Sequence, residues 1–145
     1  HSATDIDVGL GVDAAFLDRV HSDRGWGLRY GQHVYHIGYH YVILPDGTVQ
    51  AGRPEWMPGA HTAGYNHYLG ICLIGDFSDR GAQTQRPTDA QLDALVNLTV
   101  KQMRRHNIPL SRLFRHCDLG ATKCPGAGVP WEQIFKRVQS RLYGS

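Results

Sequence analysis

The sequence predicts an α/β domain in which a central mixed β-sheet is flanked by helices on both faces. Short β-branched and aromatic stretches alternate along the chain with longer stretches whose apolar residues recur at helical spacing. One short stretch, residues 69–75, is apolar throughout, as expected of a strand buried on both faces. Such a sheet needs helices on each side. The 145 residues fit a single domain, taken as 1–145.

The first half of the chain is predicted to hold one helix and one hairpin. Residues 13–21 place apolar side chains on the inner side of a helix. Residues 37–44 and 48–52 are predicted strands that are joined by a turn at Asp46-Gly47. Residues 28–36 are aromatic and polar, and we expect them either to form one wall of a groove or to cover an edge of the sheet.

The second half is predicted to hold the buried strand and two helices. Thr88 and Gln91 have the spacing of a capping box, which predicts that a helix begins at 87–88. A last helix is expected over 130–142. The predicted buried face of the first of these helices consists of Leu92, Leu95, Val96, Thr99 and Met103.

Composition argues against several classes of protein. The formal charge is +2, too small to favour a nucleic-acid partner, and no apolar run approaches the ~18 residues of a membrane span. Three cysteines are an odd number and do not form a disulfide framework. Cys72 lies in the middle of a predicted strand and is expected in the core. Cys117 and Cys124 remain as candidates for a metal site or a reduced thiol.

Residues 115–126 carry the most informative pattern. They lie between two predicted helices and are rich in glycine, so we predict a loop, the kind of segment that often carries a site. His116 and Cys124 stand eight positions apart and could bind zinc as imidazole and thiolate ligands. A histidine and a cysteine in one loop also occur for structural reasons, so the pair alone leaves both interpretations open.

This segment, followed by Pro125-Gly126, resembles the C-terminal zinc loop of the N-acetylmuramoyl-L-alanine amidases. That family includes the peptidoglycan recognition proteins and the phage lysozymes that are amidases. The resemblance extends over nearly the whole chain, because six further pieces stand in the family's order. The pieces are Ser2-Ala3-Thr4, Gly38-Tyr39-His40-Tyr41, Gly47-Thr48-Val49 with Gly52-Arg53, Gly59-Ala60-His61-Thr62 with Asn66, residues 69–77, and Pro130-Trp131.

The resemblance implies a zinc-dependent enzyme that hydrolyses the amide bond between N-acetylmuramic acid and L-alanine of peptidoglycan. It implies that His1, His116 and Cys124 are zinc ligands, with the fourth position left for water. It implies that Tyr39 is catalytic and orients this water, whereas the residues alone favour strand packing for Tyr39. Thr122 matches the amidases among the recognition proteins and would hydrogen-bond the developing oxyanion.

The resemblance also implies a groove that binds the muropeptide substrate. His61 lies in a loop expected to border the groove and to contact the muramyl sugar or the peptide. Trp56, Asn66 and Arg53 are expected to line the groove as well. From the residues alone, His61 fits a loop histidine that is hydrogen-bonded to the backbone equally well.

At the first ligand this chain departs from the family pattern. The family's first zinc histidine is followed by one variable residue and then by the Ser-Ala-Thr segment, so His1 stands at the variable place. Either His1 reaches the metal or the residue before it does. We expect the native protein to be longer at this end, since a missing central strand would leave buried backbone groups of its neighbours unpaired.

Three functions are compared. The leading one is an amidase that acts as a monomer on the bacterial cell wall, as a phage endolysin or as a secreted or periplasmic bacterial enzyme. The animal members usually carry disulfides, and this sequence shows no such framework. The second is a peptidoglycan receptor without catalysis, a type that commonly lacks the cysteine ligand. The third is another zinc amidohydrolase or a thiol protein, which no Cys-x-x-Cys or His-Glu-x-x-His motif supports.

Overall fold

The computed structural model describes residues 1–2 and 12–144, so Ala3 and Thr4 of the family-like Ser-Ala-Thr segment lie outside the described residues. Within the described ranges the chain forms four α-helices and five short strands. In chain order they are α1 (Ala14–Asp23), β1 (Leu28–Tyr30), β2 (His33–Tyr35), β3 (Tyr41–Ile43), β4 (Val49–Ala51), β5 (Ile71–Leu73), α2 (Asp89–His106), α3 (His116–Leu119) and α4 (Trp131–Tyr143).

The main sheet is mixed, as predicted. β3 pairs antiparallel with β4 on one side and in parallel with β5 on the other. Ser2 forms a parallel bridge with Leu73, and the Leu73 N–H donates to the His1 carbonyl over 2.9 Å. The first two residues therefore lie along the outer edge of β5. The expectation that the native protein is longer at this end stays a prediction.

The two faces of the sheet pack against different helices, because successive strand residues point to opposite sides. Val42 and Cys72 are buried on one face around Leu17 of α1. Ile43 and Leu73 are buried on the other face, in a larger core that α2 and α4 build. The predicted class, a mixed sheet with helices on both faces, is confirmed. Burial raises the pKa of the Cys72 thiol to about 12, in keeping with its predicted place in the core.

The start of α2 is fastened to the sheet by the residues of its capping box. The Thr88 hydroxyl accepts the Gln91 N–H over 3.0 Å, and the Gln91 side chain accepts the Thr88 N–H over 3.1 Å, as predicted. The Gln91 amide nitrogen also donates to the carbonyls of Ile43 and Ile74. Of the predicted apolar face, Leu95 is partly buried and the other four residues are buried.

The hairpin turns at Asp46-Gly47, as predicted. Gly47 has a φ of +87°, and a Cβ atom at this position would lie 2.9 Å from the Ala90 carbonyl oxygen. The Thr48 N–H donates to the Asp46 carboxylate over 2.8 Å. Glycine is therefore needed both for the backbone conformation and for the close approach of α2.

The strands are shorter than predicted, and Tyr39 is not in one. It precedes β3 by two residues. At Gly38 the chain packs against a neighbouring loop, since the Ala60 N–H donates to the Gly38 carbonyl over 3.0 Å. A Cβ atom at Gly38 would lie 2.1 Å from the Ala60 carbonyl oxygen. Because β3 begins only at Tyr41, the prediction of a strand over 37–40 is wrong.

Residues 28–36 form a separate antiparallel hairpin of β1 and β2, which the sequence analysis did not anticipate. Tyr30 at its tip is 62% exposed and packs edge-on against Trp56, with ring centroids 4.8 Å apart. Within the described part of the chain, none of the helices combines the length and apolar character that crossing a membrane requires.

Candidate active site

His1, His116 and Cys124 meet at the outer edge of β5. His1 lies beside that strand, His116 begins α3, and Cys124 lies in the turn that follows α3. One nitrogen or sulfur atom from each of the three lies within 4.8 Å of the others, so together they could hold a metal ion. The structure therefore brings together the three residues that the sequence analysis named as ligands.

The prediction that 115–126 is entirely a loop is wrong for its first residues. Residues His116–Leu119 form the single turn of α3. Across this turn the Arg115 guanidinium donates to the Asp118 carboxylate over 2.8 Å, and the same carboxylate accepts the Arg115 N–H. These bonds hold the turn that presents His116.

The Cys124 sulfur lies among hydrogen-bond donors. The Ser2 N–H donates to Sγ over 3.3 Å. The Cys124 N–H donates to the Thr122 hydroxyl over 3.2 Å. Because the Thr122 oxygen is the acceptor in that bond, its own proton remains available for donation. Cys117 lies outside the three-residue cluster, and Lys123 is exposed.

Three rings surround the imidazole of His1. Its centroid lies 4.6 Å from that of His116, 5.0 Å from that of His61 and 5.1 Å from that of Tyr39. Burial lowers the pKa of His116, which favours the neutral imidazole that a metal ligand must be. Burial raises the pKa of the Tyr39 hydroxyl well above its ordinary value, so this group stays protonated and can donate a hydrogen bond.

His61 is held by the protein through both ring nitrogens. Nε2 lies 2.8 Å from the Tyr68 carbonyl oxygen, and Nδ1 lies 3.1 Å from both the Thr62 hydroxyl and Nε2 of His1. Burial lowers the pKa of His61 to about 4, so the ring is neutral near pH 7. The hydrogen bond to the backbone, which the sequence analysis gave as the alternative role of His61, is therefore present. Both ring nitrogens of His61 contact protein atoms.

Asn66, Trp56 and Arg53, the other predicted groove residues, do not line the cavity that opens beside His1 and His116. The Asn66 carboxamide oxygen accepts the N–H groups of His61 and Thr62, so it shapes the loop. Trp56 is 64% exposed and packs against Tyr30. Arg53 is only 5% exposed and donates to three main-chain carbonyls, which favours a structural role for it over contact with substrate.

A cavity opens beside His1 and His116. Its walls are aromatic and apolar, with two arginines among them, and so can contact both sugar faces and carboxylates. Most of its walls come from loop 61–69, from the segment around α3 and from the start of α4. Lining residues include His61, Thr62, Tyr65, Tyr68, Arg112, Phe114, Arg115 and Trp131.

Sequence reasoning missed two residues at this site. Ser2 acts through its main-chain N–H, which no side-chain pattern can reveal. Thr62 is buried, and its hydroxyl lies 3.3 Å from Nε2 of His1. In the sequence, the only indication that Thr62 belongs to the site was its position next to His61, in the loop that resembles the family's.

Comparison with known proteins gives the class of the molecule. The endolysin of Enterobacteria phage T3 is 34% identical over 116 residues, which cover 78% of this chain and 70% of that protein. The endolysin amidase LysCS from Clostridium intestinale URNW is 32% identical in sequence. Its structure is similar with a TM-score of 0.79, covering 96% of this chain and 80% of that one.

A recognition protein shares the fold as well. Peptidoglycan-recognition protein LE of Drosophila melanogaster was solved in complex with tracheal cytotoxin, a monomeric diaminopimelic acid-type peptidoglycan. It is 31% identical, with a TM-score of 0.65 over 81% of this chain and 63% of that one. The fold is thus that of the amidases and peptidoglycan recognition proteins.

The profile of the N-acetylmuramoyl-L-alanine amidase family matches residues 14–127, which include Tyr39, His116 and Cys124. The chain belongs to this family.

Proposed function

We propose that this chain hydrolyses the amide bond between N-acetylmuramic acid and L-alanine of peptidoglycan with a zinc ion held by His1, His116 and Cys124. The observation that carries the proposal is the convergence of these three side chains within 4.8 Å, in a member of an amidase family. Phage endolysins among its relatives support an action on the bacterial cell wall, reached from an infected cell or by secretion.

The donor set fits zinc. Two imidazole nitrogens and one thiolate are ligands that zinc prefers, and three protein ligands leave a fourth position for water or substrate. In a tetrahedral site with bonds of 2.0–2.3 Å, ligand atoms lie roughly 3.3–3.8 Å apart. The distance from Nδ1 of His1 to Sγ of Cys124 is 3.9 Å, close to this range. The thiolate is the form of cysteine that binds zinc, and the Ser2 N–H donates to Sγ over 3.3 Å.

Bound zinc would supply a Lewis acid for the carbonyl oxygen and lower the pKa of water to about 7. In the net reaction the oxygen of water forms a bond to the lactyl carbonyl carbon, the carbon–nitrogen bond breaks, and the L-alanine amine leaves with a proton. The Tyr39 hydroxyl, kept protonated by burial, orients the reacting oxygen as a hydrogen-bond donor. The Thr122 hydroxyl donates to the developing oxyanion, a type of contact worth ~10²–10³ in rate.

The cavity supports this substrate class. Tyr65, Tyr68 and Trp131 offer aromatic faces to the sugar and peptide, while Arg112 suits a carboxylate of a stem peptide. Its opening beside His1 and His116 would place the scissile amide next to the metal ligands.

The test uses a defined muropeptide incubated with the protein, with and without a zinc chelator, and mass spectrometry of the products. We expect free glycan and a peptide that begins with L-alanine, lost on chelation and restored by zinc. Cys124→Ser should abolish turnover and leave much of the muropeptide binding, while the matched control Cys117→Ser should keep turnover. Intact muropeptide in every sample of the unaltered protein would instead indicate a receptor.

A further inference from the structure

The proton on the His61 ring has a defined place. Nε2 of His61 lies 2.8 Å from the carbonyl oxygen of Tyr68, and a carbonyl oxygen can only accept a hydrogen bond. The hydrogen of the neutral ring is therefore on Nε2. The other nitrogen, Nδ1, then carries a lone pair and acts as an acceptor.

The ring itself has little freedom to turn. It lies between two glycines: a Cβ atom at Gly59 would be 2.4 Å from Cδ2 of the ring, and one at Gly70 would be 2.6 Å from the same atom. Its backbone is fixed as well, since the Asn66 side chain accepts the N–H groups of His61 and Thr62 over 2.8 and 2.9 Å. The lone pair on Nδ1 is thus aimed in one direction.

That direction is towards His1. Nδ1 of His61 lies 3.1 Å from Nε2 of His1, and the Thr62 hydroxyl lies within 3.3 Å of both nitrogens. Two lone pairs facing each other at this distance would repel. The hydrogen of His1 therefore belongs on Nε2, which leaves the lone pair of His1 on Nδ1, the atom 3.9 Å from Cys124 Sγ.

We propose that His61 is a positioning residue that, together with the Thr62 hydroxyl, fixes His1 in the tautomer whose Nδ1 is free to bind the metal. The inference rests on the proposed zinc site and assigns to His61 a role other than contact with the substrate. Hydrogen-bond partners of metal-binding histidines set the tautomer and ring orientation in this way, and losing them typically weakens metal binding ~10–100-fold.

One competing arrangement exists within the same geometry. If the Thr62 hydroxyl donated to Nε2 of His1, the hydrogen of His1 would lie on Nδ1 and point at the Cys124 sulfur. Nδ1 would then have to lose a proton before it could bind a metal. The two arrangements differ in which nitrogen of His1 carries the proton, and this can be measured.

The first measurement is the zinc dissociation constant, obtained by competition with a chromophoric chelator. His61→Phe keeps a ring but removes both nitrogens, and we expect zinc binding ~10–100-fold weaker than in the unaltered protein. His61→Gln restores an acceptor and should recover part of the affinity. The control His67→Phe changes an exposed histidine of the same loop and should bind zinc as the unaltered protein does. Equal affinity in all four proteins would overturn the inference.

The second measurement needs no variant and no zinc. Long-range ¹H–¹⁵N correlation spectra of the metal-free protein report which nitrogen of His1 is protonated. A proton on Nε2 supports the inference, and a proton on Nδ1 overturns it. If the unaltered protein bound no zinc, the proposed function would fail, whereas the spectrum would still decide the state of His1 by itself.

Discussion

Arg53 offers a sharp test of the fold, because its guanidinium joins three separate segments. Nε donates to the Ile37 carbonyl over 2.7 Å, Nη1 to the Pro58 carbonyl over 2.8 Å, and Nη2 to the Trp26 carbonyl over 2.7 Å. Among the described residues, these carbonyls accept no other main-chain hydrogen bond. We expect Arg53→Met, which keeps the aliphatic part of the side chain, to leave all three without a partner.

The cost can be worked out from these bonds. A buried acceptor that loses its partner costs about 1–3 kcal/mol. Two of the three carbonyl contacts are only partly buried, so the lower half of that range applies to each. With the full range for the buried Ile37 carbonyl, the free energy of unfolding should fall by about 3–7 kcal/mol, a large share of the roughly 5–15 kcal/mol typical of a domain. Arg53→Lys, which can serve fewer carbonyls, should lose about half as much.

Denaturant unfolding of the purified variants measures these changes. The matched control is Arg104→Met, since Arg104 is exposed and donates to a single carbonyl, that of Arg141. It should change the free energy of unfolding by no more than about 0.5 kcal/mol. If Arg53→Lys raised KM for a muropeptide but left unfolding unchanged, Arg53 would be a substrate contact and the reasoning from its burial would be refuted.

Two further predictions concern stability. His21 is 3% exposed, and burial lowers its pKa from 6.5 to about 4, so between these values the unfolded chain binds a proton that the folded chain does not. The free energy of unfolding should therefore fall as the pH falls from about 6.5 to about 4, by up to about 3 kcal/mol from this residue. Unfolding curves of His21→Gln should show a weaker pH dependence. The same pH dependence in His21→Gln and the unaltered protein would contradict the argument. Thr88→Ala removes the cap of α2 and should cost about 1 kcal/mol in the same assay, so a loss below about 0.3 kcal/mol would mean that the capping box contributes little.

Features set by neighbouring residues were predictable from the sequence. The capping box of Thr88 and Gln91 and the turn at Asp46-Gly47 depend on contacts within a few residues, and both form as predicted. The alternation of Val42 and Ile43 between the two faces of the sheet follows in the same way from strand geometry.

Features set by distant contacts were not predictable. The strand expected through Tyr39 begins only at Tyr41, and Gly38 before it packs against Ala60, more than twenty positions away. Arg53 was expected to line the groove, yet its side chain is buried and donates to the carbonyls of Ile37 and Trp26. No local pattern reveals such partners, so burial of a charged side chain was the most difficult feature to predict.

The candidate site shows the same division. His116 and Cys124 share one short segment, and their spacing alone marked them as possible ligands. The contact between His1 and His61 joins residues sixty positions apart, and the Ser2 N–H on Cys124 joins residues more than a hundred apart. Resemblance to a family suggested the ligands, whereas the hydrogen bonds that orient them required the structure.

The most direct test of the central claim is a zinc titration of the chelator-treated protein, with release of the L-alanine peptide followed at each addition. The account predicts no turnover without zinc, a linear rise as zinc is added, and a plateau at about one zinc per chain, as expected for a single three-ligand site. Full turnover by the chelated protein before any zinc is added would contradict it.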